Sequence, residues 1–176
     1  MKRYVKGVTM AFLFITIFSV GTLFGASDVS AQDMGLTQQI QGSWVLVSMY
    51  NDRDGKKTEL FGPNPRGSLI LTPDGRFSMI LMSASLPKFA SNIRPKGTAK
   101  EYQAVVQGSL AYFGTYKVAD EKENKVTLNI EKSTFPNWDG QEQQRSMTVI
   151  GDQMMFISSN TTLDGGTNYL AWKRFK

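Results

Sequence analysis

The sequence predicts an all-β fold, a single up-and-down antiparallel β-barrel of about eight strands with one short helix inserted mid-chain. Three observations lead there. From residue 42 to residue 176, apolar and polar residues alternate in short runs, the period of half-buried strands. Between the runs lie compact turn signals that keep consecutive strands adjacent. A single helix-start signal interrupts the series.

Taken in order, strands are expected at residues 43–51, 67–72, 76–82, 111–118, 125–133, 143–150, 153–159 and 168–175, with a short extra one near 57–60. Thr72-Pro73-Asp74-Gly75 joins strands 67–72 and 76–82 as a hairpin: the proline presets φ, the aspartate bonds its own backbone and the glycine takes positive φ. Gly151-Asp152 joins strands 143–150 and 153–159 as a two-residue, glycine-first turn. Asp164-Gly165-Gly166 leads into the last strand, and Asp120-Glu121-Lys122-Glu123-Asn124 reads as a solvated loop. Thr98-Ala99-Lys100-Glu101 is a capping box, so a helix should run from there to Gly108. With the Pro- and Gly-containing stretch before it, the helix either covers one mouth of the barrel or patches a sheet face.

Residues 1–31 read as a signal peptide ahead of a barrel domain at 32–176. Lys2, Arg3 and Lys6 form a positive start, Val8 to Ala26 is nearly uninterrupted apolar sequence, and Val29-Ser30-Ala31 is a small-residue cleavage site. The alternative is an uncleaved membrane anchor, because that apolar run at about 1.5 Å per residue approaches the ~30 Å bilayer core. Cleavage predicts a secreted or periplasmic protein with no stable membrane insertion. The chain contains no cysteine, which excludes an acylated N-terminal cysteine, a thiolate nucleophile and disulfide bonds. A formal charge of +5, with its basic residues dispersed and no cluster among stacking aromatics, argues against nucleic acid as a partner.

Alternation assigns faces to the strands. In strand 43–51 both faces are apolar, Trp44 and Leu46 on one and Val45, Val47 and Met49 on the other, so its inward set is ambiguous. In strand 143–150, Arg145 shares a face with Met147 and Val149. If that face is the core, Arg145 points inward and needs a carboxylate, backbone carbonyls or an anionic ligand; otherwise it snorkels to solvent at the rim. Strand 125–133 divides into Val126, Leu128 and Ile130 against Thr127, Asn129 and Glu131. With the apolar set inside, Glu131 stands in water; with the polar set inside, Glu131 can pair with Arg145. Phe77 and Met79 share a face of their strand, Tyr112 and Tyr116 a face of theirs, and with Met147 and Phe156 these are candidates to line a cavity or simply to fill it.

The ordered set Gly42-Ser43-Trp44-Val45-Leu46-Val47-Ser48, Phe61-Gly62-Pro63-Asn64-Pro65-Arg66-Gly67, Thr72-Pro73-Asp74-Gly75-Arg76-Phe77-Ser78, Ala111-Tyr112-Phe113-Gly114-Thr115-Tyr116, Phe135-Pro136-Asn137-Trp138 and Trp172-Lys173-Arg174 is similar to the bacterial and fungal lipocalin-like domain family. The resemblance covers nearly all of residues 32–176 and implies a calycin-type barrel. It further implies that Arg174 lies across the Trp44 indole and closes one barrel end, a cation–π contact worth about 0.5–2 kcal/mol. Two departures limit what carries over. Members of the family have histidine in the strand before Phe-Pro-Asn-Trp, where this chain has Leu128 and Asn129 and no histidine anywhere. The helix also lies between strands, whereas the main helix of ordinary lipocalins follows the barrel.

Three functions are compatible with these residues. The first is a binding module for a small hydrophobic or amphipathic ligand, with Arg145, Tyr112, Tyr116, Phe77, Met79, Met147 and Glu131 as binding candidates. The second is a cofactor-free cyclase or isomerase, in which Glu131, Tyr112 or Tyr116 beside Arg145 would carry proton transfer. No metal or cofactor is expected for it, since the chain has no phosphate-binding glycine loop and no carboxylate cluster at ligand spacing. The third is an envelope protein-interaction module. In Phe135-Pro136-Asn137-Trp138-Asp139-Gly140, an exposed Trp138 would anchor a protein contact, whereas a buried one would plug a barrel end.

Overall fold

The computed structural model describes residues 34–159 and 165–176; the expected signal peptide lies outside them. The described chain contains nine antiparallel strands, β1 (Gly42–Arg53), β2 (Lys56–Thr58), β3 (Arg66–Leu71), β4 (Arg76–Met82), β5 (Ser109–Asp120), β6 (Lys125–Ser133), β7 (Glu142–Ile150), β8 (Gln153–Ser159) and β9 (Thr167–Arg174). Each pairs with its sequence neighbour from β3 to β9, β1 pairs with β3, and β1 pairs again with β9 to close an eight-stranded barrel. The ninth strand, β2, extends a hairpin from the far end of β1. Asp54 and Gly55 at its turn both have positive φ (53° and 79°), the conformation a two-residue type I′ hairpin requires.

The ambiguity in the first strand resolves through a β-bulge. Pairing of β1 with β9 shifts register between Leu46 and Ser48, so Trp44 and Leu46 point inward before the bulge and Met49 and Asn51 point inward after it. An extra residue re-phases the alternation, which is why both faces of this strand read as apolar. A second bulge lies where β5 meets β6, between Phe113 and Gly114. Gly114 is demanded there by close approach: a Cβ on it would lie 1.9 Å from the Asn129 carbonyl oxygen.

One end of the barrel is closed. A short helix absent from the sequence expectations, α1 (Leu36–Ile40), buries Leu36 and Ile40. Glu121, from the loop expected to be solvated, accepts the Leu36 amide at 3.0 Å at its start. The helix that was expected, α2 (Ala99–Gly108), begins with a full capping box between Thr98 and Glu101. It buries none of its residues and runs straight into β5.

Inside the barrel the side chains stack in rows that follow the strand register. Across β7, β8, β9 and β1, one row is Met147, Phe156, Leu170 and Met49, all buried. The row nearer the closed end includes Met154, Trp172 and Leu46. Toward the other end the register continues into a polar row: Ser158 pairs with Asn168, Asn168 pairs with Asn51, and Arg145 lies one residue beyond the Ser146–Ile157 pair.

Candidate functional site

Above the Met147–Phe156–Leu170–Met49 row lies a cavity of about 190 Å³. Arg145, Ser158 and Asn168 of the polar row form one side of it, and Leu81, Leu110, Tyr112 and Trp138 form the opposite, largely apolar side. Gln141 and Gln143 also line it. The cavity is therefore two-faced, with hydrogen-bonding groups against aromatic and aliphatic ones.

Arg145 points inward, as its alternation with Met147 allows, and is only 9% exposed. Its Nη1 donates to the Gln144 carbonyl at 2.7 Å and its Nη2 to the Gln143 side-chain oxygen. Its Nε is buried with no hydrogen-bond partner. No carboxylate among the described residues pairs with it, in contrast to Arg76, Lys125 and Lys132 on the surface. Burial lowers the guanidinium pKa, and coupling to Tyr112 opposes that shift; an arginine nonetheless stays cationic in a protein. Burial likewise raises the Tyr112 phenol above its ordinary value, against the pull of the Arg145 charge. The Tyr112 hydroxyl donates to the Met79 sulfur at 2.9 Å.

The polar row is held in place on its far side. Asn51 Nδ2 donates to Asn168 Oδ1 and to the Gly165 carbonyl, both at 2.8 Å. These bonds fix the two amides across the paired strands β1 and β9.

Trp138 is the partition of the site. It sits at the end of a 3₁₀ turn, Pro136–Trp138, and is 6% exposed. Its indole packs edge-on against Tyr112 at 5.3 Å and against Phe135 at 5.8 Å. Beyond it lies a smaller apolar recess of about 110 Å³ walled by Phe61, Val106 and Phe135, and the two spaces share Leu110 and Trp138. Helix α2 contributes Val106 and Gln107 to this recess and no side chain to the inner cavity.

The sequence candidates thus separate. Arg145 and Tyr112 line the cavity, together with Phe156. Phe77, Met79 and Met147 are buried in the barrel core and do not line it; Phe77 packs edge-on against Tyr112 from below, at 5.8 Å. Tyr116 belongs to the closed end, where its hydroxyl donates to the Thr72 carbonyl at 2.8 Å. Glu131 is a correction: it is the extra residue of the β5–β6 bulge, faces outward and forms a two-pronged ion pair with Arg76 at 3.0 and 3.1 Å. For Trp138 the buried alternative holds, which corrects only the exposed protein-contact anchor. Ser158, Asn168 and Gln143 were missed, although the signal was present. Each continues the inward alternation of an apolar set, Met154-Phe156-Ser158, Asn168-Leu170-Trp172 and Gln143-Arg145-Met147.

The family comparison agrees with this architecture. The model of the lipocalin-like domain family matches residues 41–175. A curated relative, the 4'-hydroxy-3'-methoxypropiophenone carrier protein of Aspergillus oryzae, is 29% identical over 86 residues, covering 44% of this chain and 78% of the relative. Among solved structures, a biogenic amine-binding protein aligns with 15% identity and a TM-score of 0.39, over 77% of this chain and 63% of that one, less than two thirds of its length. A barrel closed by β1–β9 pairing, an Arg174–Trp44 contact at one end and a family match across almost every described residue lead to one assignment: the chain belongs to the lipocalin-like domain family.

Proposed function

We propose that the protein is an exported carrier that holds one small amphipathic molecule in the open half of its barrel. The observation that carries this reading is the cavity itself. Core rows fill the closed half, while about 190 Å³ between the polar row and Trp138 is left free of side chains. Protein interiors pack closely, and voids larger than a water molecule are few in a domain. An engineered cavity of about 150 Å³ accommodates benzene, so the space suits a compact molecule with one ring or its aliphatic equivalent. The two-sided lining would orient such a molecule, apolar edge toward Leu81, Leu110 and Trp138 and polar edge toward Arg145, Ser158 and Asn168. The carrier description of the fungal relative and the family match support the same reading. The export part rests on the leader-like pattern from Lys2 to Ala31.

Native mass spectrometry of the protein isolated from cells that naturally make it, followed by denaturing extraction, tests the proposal. A stoichiometric small molecule that disappears when Leu110→Trp fills the cavity is the expected result. Binding unaffected by that substitution would place the ligand elsewhere. N-terminal sequencing of the same sample tests export: a first residue at Gln32 is expected, and an intact leader would contradict cleavage.

A further inference from the structure

Among the described residues, the cavity holds a cation without a counter-charge. Arg145 is 9% exposed, its two terminal nitrogens are engaged by the neutral acceptors Gln144 and Gln143 of its own strand, the Tyr112 hydroxyl is a further neutral neighbour, and the Arg145 Nε has no partner. The other hydrogen-bonding side chains that line the space, including Ser158, Ser159, Asn168, Gln141, Gln143 and Tyr112, are all neutral. A buried guanidinium is costly unless a negative charge or a full set of acceptors compensates it, and here the protein supplies neither among the described residues. Nature pairs such groups with planar oxyanions, whose two oxygens match the guanidinium fork.

The surroundings favour an external anion. Ser158, Asn168 and the two glutamines can donate to oxygen, so they add hydrogen bonds to an oxyanion that Arg145 neutralises. Opposite them, Leu81 and Leu110 are apolar, and Tyr112 and Trp138 present aromatic surface that carries only a hydroxyl and an indole N–H. The Tyr112 hydroxyl proton is directed to Met79, which leaves the phenolic oxygen toward its neighbours. We propose that the ligand is a small organic anion, a carboxylate or phenolate on a compact apolar body, with its charge against Arg145 and its body against Trp138. This rests on the carrier reading and names the ligand class of the same cavity. It also sets the site apart from one built for an amine, since among the described residues the only charge lining the cavity is positive.

Calorimetric titration of the intact protein at neutral pH with 4-hydroxybenzoate, 4-hydroxybenzamide and 4-hydroxybenzylamine separates the possibilities, because the three share a ring and differ in charge. The benzoate is expected to bind about tenfold or more tightly than the amide, the size of one charge-assisted hydrogen bond, and the amine more weakly than either. Arg145→Met should reduce the benzoate to the level of the amide and leave the amide within about twofold. Arg145→Lys keeps the charge and should keep part of the preference, which provides a second reading where the Met variant does not fold. Equal binding of benzoate and amide to the wild-type protein would overturn the anion assignment and leave the carrier reading standing. Failure of all three to bind, or to displace whatever molecule co-purifies, would overturn both.

Discussion

The guanidinium carbon of Arg174 lies 4.2 Å from the centre of the Trp44 indole, and its Nη1 and Nη2 donate to the carbonyls of Gln41 and Gln39, each at 2.7 Å. The indole nitrogen in turn donates to the Ile40 carbonyl at 2.8 Å. Three successive carbonyls left open where α1 ends are thereby satisfied by two side chains that also cover each other. Gly42 completes the device: its φ is +120°, and a Cβ there would lie 2.9 Å from Arg174 Nη1. The Gly-x-Trp pattern and the distant arginine are thus one closure, and the cavity lies at the other end.

Arg174→Ala should lower unfolding free energy by about 2–4 kcal/mol, combining a cation–π contact with hydrogen bonds from a charged donor. Arg174→Lys should recover less than half, because one ammonium cannot cover the ring and reach both carbonyls. Urea unfolding of the three proteins checks this. Equal midpoints for the wild type and the Ala variant would show that the closure contributes nothing.

Gly114→Ala should be among the most damaging small substitutions in the barrel. The new methyl would lie 1.9 Å from the Asn129 carbonyl oxygen, which no rotamer relieves, so the β5–β6 bulge must shift. A loss of about 3 kcal/mol is expected. Gly55→Ala, where a Cβ meets no atom within 4 Å but φ is +79°, should cost only about 1 kcal/mol. Thermal unfolding of both variants tests the contrast.

Tyr112 makes stability fall at alkaline pH. Burial raises its pKa above the ordinary 10.0 in the folded protein, so beyond that pH the unfolded chain has released a proton that the native state retains. Fewer protons bound in the unfolded than in the folded state means that stability declines as pH rises. Full stability is present below pH 10.0 and is lost toward the raised folded value. Tyr116, also raised by burial, adds to the same slope. Urea midpoints measured from about pH 9 to 11 should fall more steeply for the wild type than for Tyr112→Phe. Parallel slopes would show that Tyr112 titrates as an ordinary surface tyrosine.

Removing the partition should enlarge the site. Trp138→Ala joins the cavity to the Phe61–Phe135 recess and should cost about 3–5 kcal/mol of stability through lost packing. In the protein that remains folded, 2-naphthoate should gain affinity relative to 4-hydroxybenzoate. An unchanged ratio would mean that the two spaces stay separate without the indole.

The strand series, the Thr72–Gly75 and Gly151–Asp152 turns and the capped helix were legible because each is written in local chemistry, period and turn residues. Helix α1 was not, since five residues without a side-chain cap carry almost no local signal and are stabilised by Arg174 from the far end of the chain. The inward face of β1 was hidden for a related reason: its bulge is set by pairing with β9. Within the site, Arg145 stood out as a charge in an apolar alternation, and the same test applied to Ser158 and Asn168 would have revealed the rest of the polar row. Tyr116 was misplaced because alternation gives the side of a strand but not the height along the barrel, whereas Glu131 keeps the outward side that goes with Val126, Leu128 and Ile130 inside.

Methionine methyl NMR tests the central claim, a ligand seated in the open half of the barrel, most directly. Met49 lines the cavity, Met154 lies in the row toward the closed end and Met155 is on the outer face. On titration with 4-hydroxybenzoate or 4-hydroxybenzamide, the Met49 methyl should shift strongly under the aromatic ring, while Met154 and Met155 stay in place. Saturable shifts confined to Met155, or binding detected by calorimetry that leaves Met49 unmoved, would contradict it.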